Sequence, residues 1–292
     1  MNKKIILITG ATDGVGKESA KALAKQGHKV IIHGRSEAKA KAVVKEIKSE
    51  TAKADLDYVL ADLLSFRAIQ RMAAEIEKRY QHLDVLINNA GAVFSSERVI
   101  TEDGEERTFQ LNVFAPFLLT WLLLPTLQKS SSARVIIEAS AAHGTARKPD
   151  FTDMKSEKIY GAQSNYSLSK LYAIWMGQHF AKELIEDRIH NVTVNITHPG
   201  AAATQFGQTV KKGFMTDMIY KIGLRFVDTP ADGAKSEIYL ATSPEVEGVS
   251  GKYFSNKCKE DSPNPKHYTK ENEKSLWNYC MSICASYLNK LN

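Results

Sequence analysis

The sequence predicts a single α/β domain built on a doubly wound, mostly parallel sheet of about seven strands flanked by helices. Three observations carry this. Short β-branched runs recur along the chain, helix-length segments separate them, and the first run passes through a glycine-containing turn straight into a helical pattern. The 292 residues exceed the usual length of one domain, but a sheet with helices on both faces absorbs such a length.

In chain order, strands are expected at 4–8, 29–33, 56–60, 85–88, 134–138, 192–197 and 252–255, each a short apolar run of buried-strand type. Helices are expected at 16–26, 36–50, 65–80, 105–128 and 165–187, where length and pattern suit them. Three segments break the alternation: 143–164, polar with Pro149; 205–228, mixed basic and apolar; and 257–270, with Pro263 and Pro265. Binding crevices in such sheets lie beyond the carboxyl ends of the strands, where insertions of this kind sit. Segment 205–228 is therefore read as a substrate lid and 257–292 as a C-terminal extension.

The longest apolar stretch, 114–127, is interrupted by Pro116, Thr120 and Pro125 and is shorter than a bilayer-spanning helix requires, so a buried helix is expected and no transmembrane segment. The apolar run at 5–8 is too short for the core of a signal peptide. With 43% hydrophobic and 25% charged residues the chain can bury a large core. Its formal charge of +6 is spread among Asp and Glu without a dense basic block, which leaves nucleic acid unsupported as a partner. Cys258, Cys280 and Cys284 are odd in number and late in the chain, against a disulfide framework and in favour of a reducing, cytoplasmic location. Cys280 and Cys284 could share a helix face. Lacking nearby His or further Cys, they read as packed thiols, and no metal is expected.

The first strand runs into Thr9-Gly10-Ala11-Thr12-Asp13-Gly14-Val15-Gly16, and a helical pattern begins at once. Glycines let the backbone approach a pyrophosphate while the N–H groups and positive end of the helix attract its charge. Tyr166 and Lys170, four apart, would share one helix face as an acid/base pair, the ammonium tuning the phenol. The same spacing recurs at Tyr253 and Lys257, but that segment reads as a strand, which separates the two by roughly 13 Å. Tyr160 has Ser164 four residues on and no cation, and reads as a loop aromatic.

Thr-Gly-x-x-x-Gly-x-Gly at the N-terminus, Asn88-Asn89-Ala90-Gly91 after the fourth strand, and Tyr166-x-x-x-Lys170 occur in the order found in the short-chain dehydrogenase/reductase family, which the chain resembles over nearly its whole length. The resemblance implies a Rossmann-type fold and a nicotinamide cofactor. It also implies a carbonyl or alcohol substrate, with Ser140 polarising the carbonyl, Tyr166 as general acid, Lys170 stabilising phenolate, and Asn112 shaping its helix and supporting a water-linked proton path. By the same resemblance Thr9, Gly10, Thr12, Asp13, Gly14, Val15, Gly16, Asn89, Ala90 and Gly91 belong to the cofactor site, with Tyr166 and Lys170 at its reactive end. Asp62-Leu63 resembles the adenine-contacting pair, although Asp62 could equally cap the following helix. Pro199, Gly200 and Thr204 resemble the segment around the nicotinamide amide.

NAD-binding members place an acidic residue at the end of the second strand. Here Gly34 stands in that slot and Arg35 follows, which favours a 2′-phosphate and hence NADP(H) over NAD(H). The segments 153–160 and 250–254 look like those of the retinol-dehydrogenase group, whose membrane-anchoring ends are not readable here, so a soluble carbonyl reductase is expected. His143 reads as an exposed loop histidine, and Phe206, Phe214, Met215, Met218 and Tyr220 as pocket lining or helix packing. A non-catalytic cofactor sensor and a carbon–carbon double-bond reductase are the alternatives. The helices after Glu105 and Asn165 leave both a homodimer and a monomer open.

Overall fold

The computed structural model describes residues 3–94, 97–200 and 229–288. Strands β1 (Ile5–Ile8), β2 (Lys29–Gly34), β3 (Asp55–Leu60), β4 (Val85–Asn88), β5 (Ala133–Glu138), β6 (Val192–Thr197), β7 (Tyr253–Phe254) and β8 (Glu260–Asp261) form one sheet in the order β3-β2-β1-β4-β5-β6-β7-β8. All neighbours pair in parallel except β7 and β8, so the two-residue β8 adds an antiparallel edge beyond the seven strands expected. Strand order reverses between β1 and β4, and a crevice opens there at the carboxyl ends of the strands.

Helices α1 (Gly14–Lys25), α2 (Glu37–Glu50), α3 (Phe66–Arg79), α4 (Arg107–Leu127), α5 (Ala162–Glu186), α6 (Pro230–Thr242) and α7 (Lys270–Leu288) cover the two faces. Ser36 and Ser65 cap α2 and α3 through their hydroxyls. Helix α1 starts at Gly14, two residues before the sequence expectation, because Asp13 accepts the Gly14 N–H at 2.8 Å and caps it. Helix α5 likewise begins at Ala162, three residues early. Two helices went unanticipated, α6 and α7. The start of α6 carries a legible signal, a capping box between Thr229 and Asp232 with Pro230 in the first turn.

Strands β1, β2, β4, β5 and β6 are almost wholly buried, as the interior of a parallel sheet requires, while the outer β3 is only half-buried. One core layer joins the sheet to α3, α4, α5 and α7 through Phe66, Phe117, Trp175 and Trp277; the other joins it to α1, α2 and α6 through Leu23, Val43 and Leu240. Phe117 meets Trp277 edge-on at 5.1 Å, and Trp121 meets Phe180 at 4.9 Å, locking α4, α5 and α7 together. Helix α4 is long and apolar enough to cross a membrane by composition, yet 83% of its apolar window is buried in this core. Pro125 lies inside it, and residues 110–114 form a π turn. Cys280 and Cys284 are buried free thiols on α7. Among the described residues no cluster of His, Cys, Asp or Glu is placed to hold a metal.

Candidate active site

A cleft of about 400 Å³ follows the carboxyl ends of β1, β2 and β4. Gly10, Thr12, Asp13, Gly14, Val15, Arg35, Asp62, Leu63, Asn89, Ala90 and Gly91 line it, as the sequence led one to expect. Thr9 and Gly16 do not. They are buried beneath the turn, where a Cβ on Gly16 would lie 2.4 Å from Asn89 Nδ2, so Gly16 serves close packing of α1 against β4. Asn89 Nδ2 donates to Thr9 O at 2.7 Å, and the Ala90 N–H donates to Thr9 Oγ1 at 3.0 Å, tying the two strand ends into one rim. Gly10 (φ 66°) and Gly14 (φ 58°) occupy the left-handed region that the tight turn demands.

His33 organises the same turn, a role the sequence reading missed. Its Nδ1 accepts the Gly10 N–H at 3.1 Å and its Nε2 lies 3.2 Å from Ala61 O. Burial lowers its pKa to about 4, so the ring is neutral and can hold both bonds. A Cβ on Gly34 would meet Thr12 Cγ2 at 2.5 Å, so a larger residue in that slot requires Thr12 to turn away. Arg35 and Lys39 stand exposed at this mouth of the cleft, with no ion-pair partner among the described residues. Lys39 was not singled out from sequence; its position one turn into α2 is the signal that could have found it. Asp62 is not the cap of α3, because Ser65 is; Asp62 instead accepts the Leu64 N–H at 3.0 Å beside the cleft.

At the far end the four predicted catalytic residues converge from three elements. Asn112 sits in the π turn of α4, where its Oδ1 accepts the Ala92 N–H at 3.0 Å and its Nδ2 donates to Ala92 O at 3.1 Å and Ser169 Oγ at 2.9 Å. This fixes the β4 loop against α5. Lys170 is buried and donates from Nζ to Glu138 O at 2.8 Å. A Cβ on Gly91 would lie 2.9 Å from that ammonium and 3.1 Å from Asn112 Oδ1, so a larger residue there requires the Lys170 side chain to shift. Tyr166, one turn before Lys170, hydrogen-bonds Ser140, whose Oγ also accepts the Ala142 N–H at 3.2 Å.

Burial pushes the Tyr166 phenol up to about 12, opposed by Ser140 and assisted by the Glu138 carboxyl. The Lys170 ammonium lies 5.7 Å from the Tyr166 ring centroid, over its face. Desolvation therefore outweighs the tuning by Lys170 expected from the sequence. Lys170 itself is pushed down by burial, while Glu138 and Glu237 pull it back up.

Other expectations fall elsewhere. His143 is buried rather than exposed; its Nδ1 lies 2.8 Å from Ser140 O and its Nε2 accepts the Asn264 N–H at 3.0 Å, pinning the extension to the Ser140 loop. Tyr253 is buried in β7, its ring centroid 5.4 Å from that of His143. Tyr160 donates to Glu97 O at 3.0 Å. Pro199 and Gly200 follow β6, Gly200 with φ 75° and its N–H on His198 Nδ1 at 3.1 Å; neither lines the cleft. Thr204, Phe206, Phe214, Met215, Met218, Tyr220 and the lid at 205–228 lie outside the described residues.

The glycine rim, the helix α1 N-terminus and the two cations suit a phosphorylated dinucleotide: a Cβ at Gly10 would crowd Ala90 and Asn89 at 3.0–3.1 Å. Residues 4–213 match the family model described as short chain dehydrogenase. Human retinol dehydrogenase 14 is 35% identical over 291 residues, covering 95% of this chain and 85% of that protein. Human polyprenol dehydrogenase is 36% identical over 280 residues, covering 94% and 83%. Among solved structures, a short chain dehydrogenase from Shigella flexneri complexed with NADP superposes with a TM-score of 0.66 at 27% identity, covering 88% of this chain and 98% of that one.

Proposed function

Because the chain belongs to the short-chain dehydrogenase family and to its retinol-dehydrogenase-like group, we propose that it is an NADP(H)-dependent oxidoreductase acting on an apolar ketone or aldehyde, or on the corresponding alcohol. The observation that carries this reading is the Tyr166–Ser140 hydrogen bond, set beside buried Lys170 at the end of a glycine-rimmed cleft. A bound nicotinamide supplies or accepts the hydride. Arg35 and Lys39 support NADP(H), because two cations at the mouth of the cleft, without an ion-pair partner among the described residues, match a 2′-phosphate that the Gly34 slot does not repel. The names of the relatives, retinol and polyprenol dehydrogenases, support an apolar substrate.

The chain's own residues divide the work. Ser140 Oγ donates to the carbonyl oxygen as negative charge grows on it, and Tyr166 delivers its proton to that oxygen. In the oxidative direction Tyr166 takes the proton back. Lys170 holds positive charge near the phenol, favouring phenolate when the proton leaves. Asn112 keeps the Gly91 loop and α5 in register, so that this geometry survives substrate exchange. The buried thiols are consistent with a reducing, cytoplasmic setting.

The test is consumption of NADPH and NADH against ketones, aldehydes and enones, with products identified by mass. Tyr166→Phe is expected to lose about 10²- to 10⁴-fold in kcat/KM. Robust turnover by that variant would remove the acid role, and equal use of NADH would remove the argument from Arg35. Alkene loss in place of carbonyl loss would point to double-bond reduction, and cofactor binding without any turnover to a sensor.

A further inference from the structure

Glu138 ends β5, two residues before Ser140, as the only charged side chain in the Val135–Glu138 stretch of the strand. Glu237 lies on α6 and is fully buried. The two carboxyl groups lie close enough across the sheet–helix interface to act on each other both as hydrogen-bonding partners and as like charges. Ser19 Oγ on α1 donates to Glu237 Oε2. Glu138 Oε2 and Glu237 Oε1 are shut from solvent and have no hydrogen-bond donor among the described residues. An ionised carboxylate only accepts, so two of them bond directly when one carries a proton. Lys170 Nζ, 2.8 Å from the backbone oxygen of Glu138, stands over this pair.

We propose that Glu138 and Glu237 are positioning residues that share one proton and, as a single negative charge beneath Lys170, set the working pH range of the Lys170–Tyr166 pair. The proposal rests on the oxidoreductase reading above. Among the described residues, the titratable groups facing the dyad are Lys170 and Tyr166, both on α5, while Ser19 on α1 is a neutral donor. Burial pushes both carboxyls up, and their mutual repulsion raises Glu237 further. Burial disfavours the Lys170 ammonium, and the dyad's charge restores it; the same charge disfavours phenolate at Tyr166. One anion thus lifts both groups of the catalytic pair together.

The double variant Glu138→Gln with Glu237→Gln is neutral at every pH. In alcohol oxidation the acidic limb of kcat/KM reports Tyr166 and the alkaline limb Lys170. Both limbs are expected to move to lower pH by about one unit, a tenfold rate change at fixed pH on either limb. A purely packing role would lower the curve without moving it. Each single Gln variant keeps one carboxylate, its neighbour's amide replacing the shared proton, and its limbs are expected to stay in place.

Infrared spectroscopy reads the dyad without turnover, and without the double variant should it fail to fold. The wild-type protein is expected to show a protonated-carboxyl band at neutral pH that Glu138→Gln and Glu237→Gln each abolish. Absence of that band, or a folded double variant whose limbs coincide with wild type, overturns the inference and leaves the oxidoreductase reading standing. The band without turnover of any alcohol or carbonyl overturns the oxidoreductase reading, and the positioning role with it.

Discussion

The two ends of α5 face carboxylates in opposite states. Toward its C-terminal half, Glu273 of α7 lies 2.7 Å from His179 Nδ1, accepts from Lys182 Nζ at 2.6 and 2.9 Å, and accepts from the Tyr268 hydroxyl at 2.7 Å. Burial would raise its pKa, but these partners outweigh burial and hold it at about 2. Toward the N-terminal half, Glu138 and Glu237 have one hydroxyl donor from outside the pair and one ammonium nearby, and burial wins. Glu237 and Glu273 are almost equally hidden from water, at 0% and 3% exposed. Donors, and not burial, decide which carboxylate keeps its charge. The first arrangement locks α7 onto α5; the second leaves a proton and a charge adjustable beside the reacting groups.

The largest expected break in this comparison is Lys170→Met. It removes the charge beside Tyr166, and kcat/KM should fall about 10³-fold. The melting temperature should change little, because the Glu138–Glu237 pair, left without its cation, can take up a second proton instead of standing as an unpaired buried charge. Glu273→Gln should do the reverse. Lys182 and His179 lose their anion at a site 3% exposed, so stability should fall by about 2 kcal/mol in urea unfolding, with kcat unchanged.

The pH dependence of stability sharpens the contrast. Glu273 has a folded value below its ordinary 4.5, so its contribution is complete above that range and is lost as pH falls toward about 2. The difference between wild type and Glu273→Gln should therefore close on acidification. The Glu138–Glu237 dyad has raised values, so the folded protein binds more protons than the unfolded chain above the ordinary carboxylate range, and its contribution weakens as pH rises. Relative to wild type, the double Gln variant should gain stability as pH rises above the ordinary carboxylate range, as read by denaturant midpoints. Parallel slopes for the two clusters would remove the distinction drawn between them. The smallest effect should come from Tyr268→Phe, which deletes one of several donors to Glu273 and should cost about 1 kcal/mol.

Much of the scaffold was legible. The runs at 85–88 and 192–197 became β4 and β6 without a shift of either end, because continuous β-branched sequence bounded by turns has few other uses in a parallel sheet. Lys270–Leu288 was left as an undivided extension, since its apolar face makes sense only once α3, α4 and α5 supply the surface it covers. His143 was misread because one partner, Asn264, lies in the distant extension, and only folding brings it over the turn that Ser140 caps.

The sequence by itself determined most of the succession of strands and helices and the glycine turn, because these depend on local periodicity and on residues near one another in the chain; it grouped Asn112 and Ser140 with Tyr166 and Lys170 only through the resemblance to the short-chain dehydrogenase/reductase family. Tertiary structure alone decided how those groups are charged. The Tyr166 phenol is raised, Lys170 is lowered, and Glu138 meets Glu237 because β5, α5 and α6 exclude water at one point and bring carboxyls from distant segments together there. Desolvation and the count of donors are properties of the packed molecule, and no spacing along the chain encodes them.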